Sequence, residues 1–168
     1  MAISMYQISI PVFNRMLNNL SAILGKAAAH AEAKKIDPAV FINSRLAPDM
    51  FPLSRQVQIA TDAVKGCAAR LAGVDIPSFP DTEATFAELQ ERIAKTQAFL
   101  NSVTSNQLEG SEARTVTIKV RGNDTEFLGL PYLTGFVLPN LFFHITTTYA
   151  ILRHNGVEIG KMDYLGGV

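Results

Sequence analysis

Apolar residues recur at steps of three and four from the start of the chain, at Met5, Ile8, Val12, Met16, Leu20, Ile23 and Ala27. That period is one face of a helix and predicts a first helix over residues 4–34, with Pro11 either kinking it or marking its true start. A loop with Asp37 and Pro38 follows, with room for a helical turn at Phe41 and Ile42. The cleanest seam in the chain is Leu53, Val57, Ala60, Val64, Cys67 and Leu71, whose alternating steps of four and three predict a second helix stopped by Gly73. Pro77 and Pro80 keep the next loop extended. Asp81 or Thr82 is then the expected cap of a third helix in which Phe86, Leu89, Ile93, Gln97 and Leu100 share a face, closing near Asn101.

The period then changes. Residues 115–121 alternate apolar and polar, Gly122, Asn123 and Asp124 supply turn residues, and residues 125–128 can return as a second strand. A fourth helix runs from near Pro131 to the stop at Asn155 and Gly156, with Arg153 and His154 in its last turn. The remaining tail is expected to pack as an extended segment. The expected fold is all-α: a four-helix bundle with a small β-hairpin between the third and fourth helices. Its long connections leave room for a crossover.

Composition narrows the function classes. The chain has 168 residues, 48% hydrophobic and 18% charged, enough for one domain over residues 1–168 with a sizeable core. Fifteen basic and fifteen acidic residues cancel, and no basic patch interleaves with aromatics, so neither nucleic acid nor an anionic membrane is an expected partner. Cys67 is the single cysteine, which excludes an internal disulfide and fits a cytoplasmic setting. Residues 1–10 lack the basic start and long apolar heart of a signal peptide and read as mature protein. Residues 128–145 are apolar enough to raise the membrane question. Pro131, Gly135, Pro139, Asn140 and His144 interrupt them, and a buried central helix is the better reading. There is no phosphate-binding glycine loop, nucleophile elbow, His-Glu-x-x-His zinc helix or strand-helix alternation.

The fourth helix carries the main candidate chemistry. It is apolar almost all round, yet Asn140, His144 and Thr148 lie at i, i+4 and i+8 with Thr147 beside them, and a buried polar group needs a partner. Pro139 cannot donate a hydrogen bond and so frees the Gly135 carbonyl one turn before the stripe. His144 is the candidate acid-base group. A buried imidazole there can bind a metal, accept a proton, or complete an internal network, the ordinary fate of a core histidine. Asp62, beside the second-helix seam, is a candidate partner for the fourth helix, with Gln56 and Gln58 as alternatives. The candidate ligand pocket is Asn140, His144, Thr148, Gln58 and Asp62. Arg55, Arg70 and Arg153 have ordinary surface roles open to them. His30 and His154 are expected in solvated positions, and Cys67 as a small apolar seam residue.

With these elements in place, the chain resembles the DinB/YfiT-like superfamily of bacterial metalloenzymes. More narrowly, it resembles the uncharacterised bacterial domain-of-unknown-function family nineteen-ninety-three. The resemblance rests on Met5-Tyr6 with Pro11-Val12-Phe13, on Ala47-Pro48-Asp49-Met50-Phe51-Pro52-Leu53 leading into Arg55-Gln56-Val57-Gln58-Ile59, and on Leu138-Pro139-Asn140-Leu141-Phe142-Phe143-His144 with Arg153-His154-Asn155-Gly156. It implies a DinB-like four-helix bundle, commonly a homodimer. The superfamily pattern implies a zinc or nickel site of three histidines, one on the second helix and two at i and i+4 on the last. Carried onto this sequence, His144 takes the later position of the last-helix pair and Asn140 the earlier. The second-helix position falls near Gln58 or Ile59, and no histidine stands between His30 and His144. One histidine of three disfavours a divalent metal. The expectation is a metal-free or weakly metal-binding bundle with a small-molecule pocket near His144. The alternatives are a metal-dependent transferase or isomerase of the thiol-dependent type, with His144 as one metal ligand, and a structural or interaction protein.

Overall fold

A computed structural model describes residues 3–167. Met1, Ala2 and Val168 lie outside the described residues, so the reading of the N-terminal stretch is traced from Ile3 onward.

Helix α1 spans Ile10–Lys34, later than the expected start at residue 4. Pro11 has no N–H to donate and fits only the first helical turn, so Ser4 to Ser9 form turns instead. The expected stripe is buried at Met5, Met16, Leu20, Ile23 and Ala27, the buried face widens to take in Phe13, Leu17, Leu24 and Ala31, and only Ile8 and Val12, beside Pro11, are half-buried. A short helix α2 (Pro38–Ile42) follows, capped by Asp37, whose carboxylate accepts from the Ala39 amide at 2.9 Å. Helix α3 (Leu53–Ala72) buries its whole predicted seam and ends at Gly73, in the left-handed conformation at φ 69°.

Helix α4 (Phe86–Ser102) starts with a capping box centred on Thr85, in place of the expected Asp81 or Thr82. Thr85 Oγ1 accepts from the Glu88 amide at 3.2 Å, and Glu88 Oε2 accepts from the Thr85 amide at 2.9 Å. Asp81 is unavailable as a cap because it pairs with Arg55 and Arg92.

Strands β1 (Thr115–Val120) and β2 (Asn123–Leu128) form one antiparallel hairpin, with Val116 opposite Phe127 and Val120 opposite Asn123. The turn is the two residues Arg121 and Gly122, at φ 51° and 85°, and Asn123 and Asp124 belong to β2. Two left-handed residues match the twist of the flanking strands, which explains the shorter turn.

The long apolar helix follows as one continuous rod: a helical turn α5 (Gly129–Pro131), a π-helical segment (Tyr132–Val137) and helix α6 (Leu138–His154). The wide π turn lies just before Pro139, where the ring would clash with the Gly135 carbonyl of a regular helix. Among the described residues this rod is the one helix long and apolar enough to cross a membrane by length and composition. Its inner face is packed on α3. The tail is not extended. Residues Lys161–Leu165 form a short helix α7, because Asp163 accepts from the Gly160 amide at 2.8 Å and α1 holds it through Asn19 to the Tyr164 carbonyl and Lys26 to Asp163.

Side-chain pairings fix the helix directions. Arg70 meets Tyr132 and Gln56 meets His144, so α3 and α6 run antiparallel. Asn14 meets Asn101, and Gln90 meets the Ser21 carbonyl, so α1 and α4 are also antiparallel. On α3 and α4, by contrast, Asp62 faces Arg92 while Gln58 faces Glu83, just ahead of α4, and these two helices run parallel. Residues 74–84 therefore form the crossover, returning along the outside of α3.

Candidate functional site

On α6 the polar stripe resolves into three different situations. Thr147 Oγ1 donates to the Phe143 carbonyl at 2.8 Å, and Thr148 Oγ1 donates to the His144 carbonyl at 2.9 Å. Both hydroxyls are spent on their own helix, one turn back. His144, 8% exposed, reaches across to α3, where its Nδ1 lies 2.7 Å from Gln56 Oε1. Asn140, half-buried, bonds to no described residue.

The Gln56 amide fixes the imidazole tautomer. Its Nε2 donates to the Phe51 carbonyl at 2.9 Å, and a carbonyl can only accept, so Oε1 must face His144. Nδ1 of His144 is then the protonated nitrogen, and Nε2 carries the lone pair. Nε2 makes no hydrogen bond to a described residue and is not sealed from solvent. Burial, with the nearby Arg55 charge adding to it, pushes the imidazole pKa down to about 4. At neutral pH His144 is an uncharged acceptor with no proton to give from Nε2.

Asn140 and Asp62 meet elsewhere. They line a groove of about 390 Å³ between α3, the hairpin and the π segment, which His144, Thr148 and Gln58 do not line. Of the five residues of the expected pocket, the structure thus brings two together in a cavity. Ile59, Ala63, Ile118, Tyr132, Phe136 and Val137 form the apolar lining of the groove, with Tyr132 and Phe136 stacked at 6.1 Å between ring centroids. Arg55, Arg70, Lys119, Asp62 and Asn140 supply its polar groups. Burial pushes the Tyr132 phenol up to about 12, so its proton stays in place.

Asp62 does not partner the fourth helix. It pairs with Lys65 at 2.8 Å and with Arg92 of α4 at 2.8 Å. Arg92, buried and missed in the sequence, is the hub of the crossover. Its Nε donates to Thr61 Oγ1 at 2.8 Å, and its guanidinium contacts Glu83 and Asp81 at 3.0 Å and the Pro80 carbonyl at 3.1 Å. Gln58 belongs to the same network, donating to Glu83 at 2.9 Å and accepting from Arg55 at 3.2 Å. The available signal was the phase of α4: position 92 lies between Leu89, Ile93 and Thr96 on the buried side.

The remaining candidates have local roles. Arg153 donates to the Val157 carbonyl at 3.1 Å and closes the end of α6. His154 is exposed, but His30 is half-buried with its ring edge-on to Phe41 at 5.9 Å, so it is not simply solvated. Cys67 is buried in the seam, and burial pushes its thiol pKa up, away from reactivity.

The family model for a domain of unknown function, DUF1993, matches residues 5–165. The chain belongs to the DUF1993 family. It is also similar to the crystal structure of a DinB family member protein from Shewanella denitrificans. The two are 44% identical, with a TM-score of 0.91 over 97% of this chain and 92% of that one. No curated protein matches the sequence. The DinB-like fold of this DUF1993 chain is therefore shown by sequence and by structure.

A DinB-like metal centre can be tested against the side chains present. The antiparallel register puts Gln56, rather than Gln58 or Ile59, opposite His144. The donor set is then one imidazole and the amides of Asn140 and Gln56, with the Gln56 oxygen already engaged. Amides are poor ligands for zinc or nickel, and among the described residues no three His, Cys, Asp or Glu side chains cluster closely enough to hold a metal ion. This set does not fit the three-histidine site.

Proposed function

We propose that this DUF1993 chain is a small-molecule-binding bundle of the DinB-like fold, using the groove beside Asn140 and doing so without a resident metal. The observation that carries the reading is the groove itself: a cleft in which two stacked aromatic rings and four aliphatic side chains meet five polar ones, at the size of ordinary ligand sites. His144 serves this reading as a neutral residue that positions α6 on α3 through Gln56, one helical turn from Asn140. Homodimerisation and a cytoplasmic setting, both expected from the sequence, belong to the same proposal.

Titrating the labelled protein with a fragment library tests the groove. Saturable amide shifts at Ile59, Ala63, Tyr132 and Phe136 are expected, and a library that shifts none of them would remove the reading. Metal analysis of untagged protein tests the second part, since stoichiometric zinc or nickel that disappears in His144→Ala would overturn the metal-free assignment. Sedimentation at micromolar concentration tests the dimer, and a clean monomer would remove it.

A further inference from the structure

The charges around the groove are unequal in how they are used. Arg55 pairs with Asp81, Lys119 with Asp124 at 3.1 Å, and Asp62 with Lys65 and Arg92. Arg70 differs: among the described residues the only hydrogen bond of its side chain is from Nη1 to the Tyr132 hydroxyl at 3.1 Å, and it meets no carboxylate. A guanidinium has five N–H donors in a planar fork, so most of its capacity is unused. The Tyr132 hydroxyl accepts from Arg70 and donates to no described residue, leaving its proton available as well.

The Arg70 side chain is also seated by the sequence. A Cβ on Gly66, one turn earlier on α3, would stand 2.5 Å from Arg70 Nη1. Glycine at 66 clears a notch in which the guanidinium lies back along the helix, beside the stacked Tyr132 and Phe136 rings.

Resting on the small-molecule reading above, we infer that the ligand of this groove is a monocarboxylic acid with a ring-sized apolar body, its carboxylate held by Arg70 and the Tyr132 hydroxyl and its body lying on Tyr132, Phe136 and Ile59. One unpaired cation matches one negative charge. Both salt bridges of Asp62 fall on Oδ1, so this groove-lining carboxylate, about two-fifths exposed, keeps Oδ2 as a free acceptor and disfavours a second negative charge on the ligand. A phosphate ester would bring that second charge with no second unpaired cation to meet it.

The test is an amide-shift titration of the full chain at pH 7 with matched acids and neutral isosteres: phenylacetate against phenylacetamide, cyclohexanecarboxylate against its amide, and phenyl phosphate. The acids should shift amides at Gly66 to Arg70 and Tyr132 to Phe136 and bind about tenfold or more tightly than the amides, the cost of losing one charge-assisted contact. Arg70→Gln should abolish that preference. Gly66→Ala should weaken acid binding by displacing the guanidinium, without removing a charge. Melting curves confirm that both variants fold, and Arg70→Lys, which keeps the charge and loses the fork, should bind between wild type and Arg70→Gln. Equal binding of acid and amide, a preference that survives Arg70→Gln, or tighter binding of phenyl phosphate would overturn the carboxylate inference while leaving the groove as a ligand site. If no compound shifts the groove at millimolar concentration, both readings fall.

Discussion

Arg92→Met removes the side chain that makes the most contacts between the crossover and the bundle, beside the smaller ties of Gln58 to Glu83 and Arg55 to Asp81. The arginine side chain is 1% exposed, and its three nitrogens meet Thr61, Asp62, Asp81, Glu83 and the Pro80 carbonyl. Burial works against its charge, and Glu83, Asp62 and Asp81 together outweigh that penalty. Methionine fills much of the same volume, so the cost is chiefly the uncompensated partners. Glu83 is largely buried, while Asp62 and Asp81 are about two-fifths exposed and can be partly rehydrated. Breaking a buried pair from one side costs about 3–5 kcal/mol, and the exposure of two of the three carboxylates places Arg92→Met toward the lower end. For a chain of this length, at roughly 2–4 °C per kcal/mol, thermal melting should fall by roughly 6–12 °C. Limited proteolysis should show new cleavage within residues 74–84 before the helices are cut. Arg92→Lys keeps a charge but not the fork and should fall between the two. A melting temperature within a degree or two of wild type for Arg92→Met, with the crossover still protected, would refute the view that this ion network holds the parallel α3–α4 pair together.

Two further outcomes follow from single positions. His144 is depressed to about 4 in the folded state against an ordinary value near 6.5, so between these pH values the unfolded chain binds a proton that the native state refuses. Its contribution is fully present above about pH 6.5 and is lost as pH falls toward 4, by up to about 3 kcal/mol. Urea melts of wild type and His144→Gln at pH 7, 5.5 and 4.5 should converge as the pH drops, and parallel curves would contradict the assignment. At Gly129, a Cβ would overlap the Ser111 carbonyl oxygen, a backbone atom that cannot swing away. Gly129→Ala should therefore destabilise by about 3 kcal/mol, read as a lower urea midpoint at unchanged slope, and an unchanged midpoint would show that the segment ahead of the π turn can shift freely.

What the sequence disclosed divides by the range of the interaction. The α3 seam, its stop at Gly73 and the alternation of β1 depend on residues a few positions apart, and each lies where the pattern puts it. The α1 stripe holds at Met16, Leu20, Ile23 and Ala27, which are all buried, and slips only at Ile8 and Val12, which flank Pro11 at the true start of the helix and are half-buried. The Thr85 cap was local and legible, since Thr85 and Glu88 have capping-box spacing, but Asp81 offered a competing cap whose real partners, Arg55 and Arg92, are distant in sequence. Asp62 failed in the same way. Nothing near it on α3 indicates that its partner lies thirty residues on, across a parallel helix pair.

The polar stripe of α6 shows why a buried polar residue is an unequal clue. Threonine can bond the carbonyl one turn back, so Thr147 and Thr148 meet the cost of burial without any partner from another helix, and their presence carries no information about a site. The His144 imidazole instead finds its hydrogen-bond partner on α3, and the partner it finds, Gln56, also sets its tautomer and takes the position a metal ligand would need. Asn140 is left with its amide unspent, facing the groove that also contains the uncommitted Arg70. The side chains with unspent donors, Asn140 and Arg70, therefore meet in the groove, while His144 keeps only an acceptor, at Nε2. That contrast moves the candidate chemistry of this bundle from proton transfer at His144 to recognition of a ligand beside Arg70.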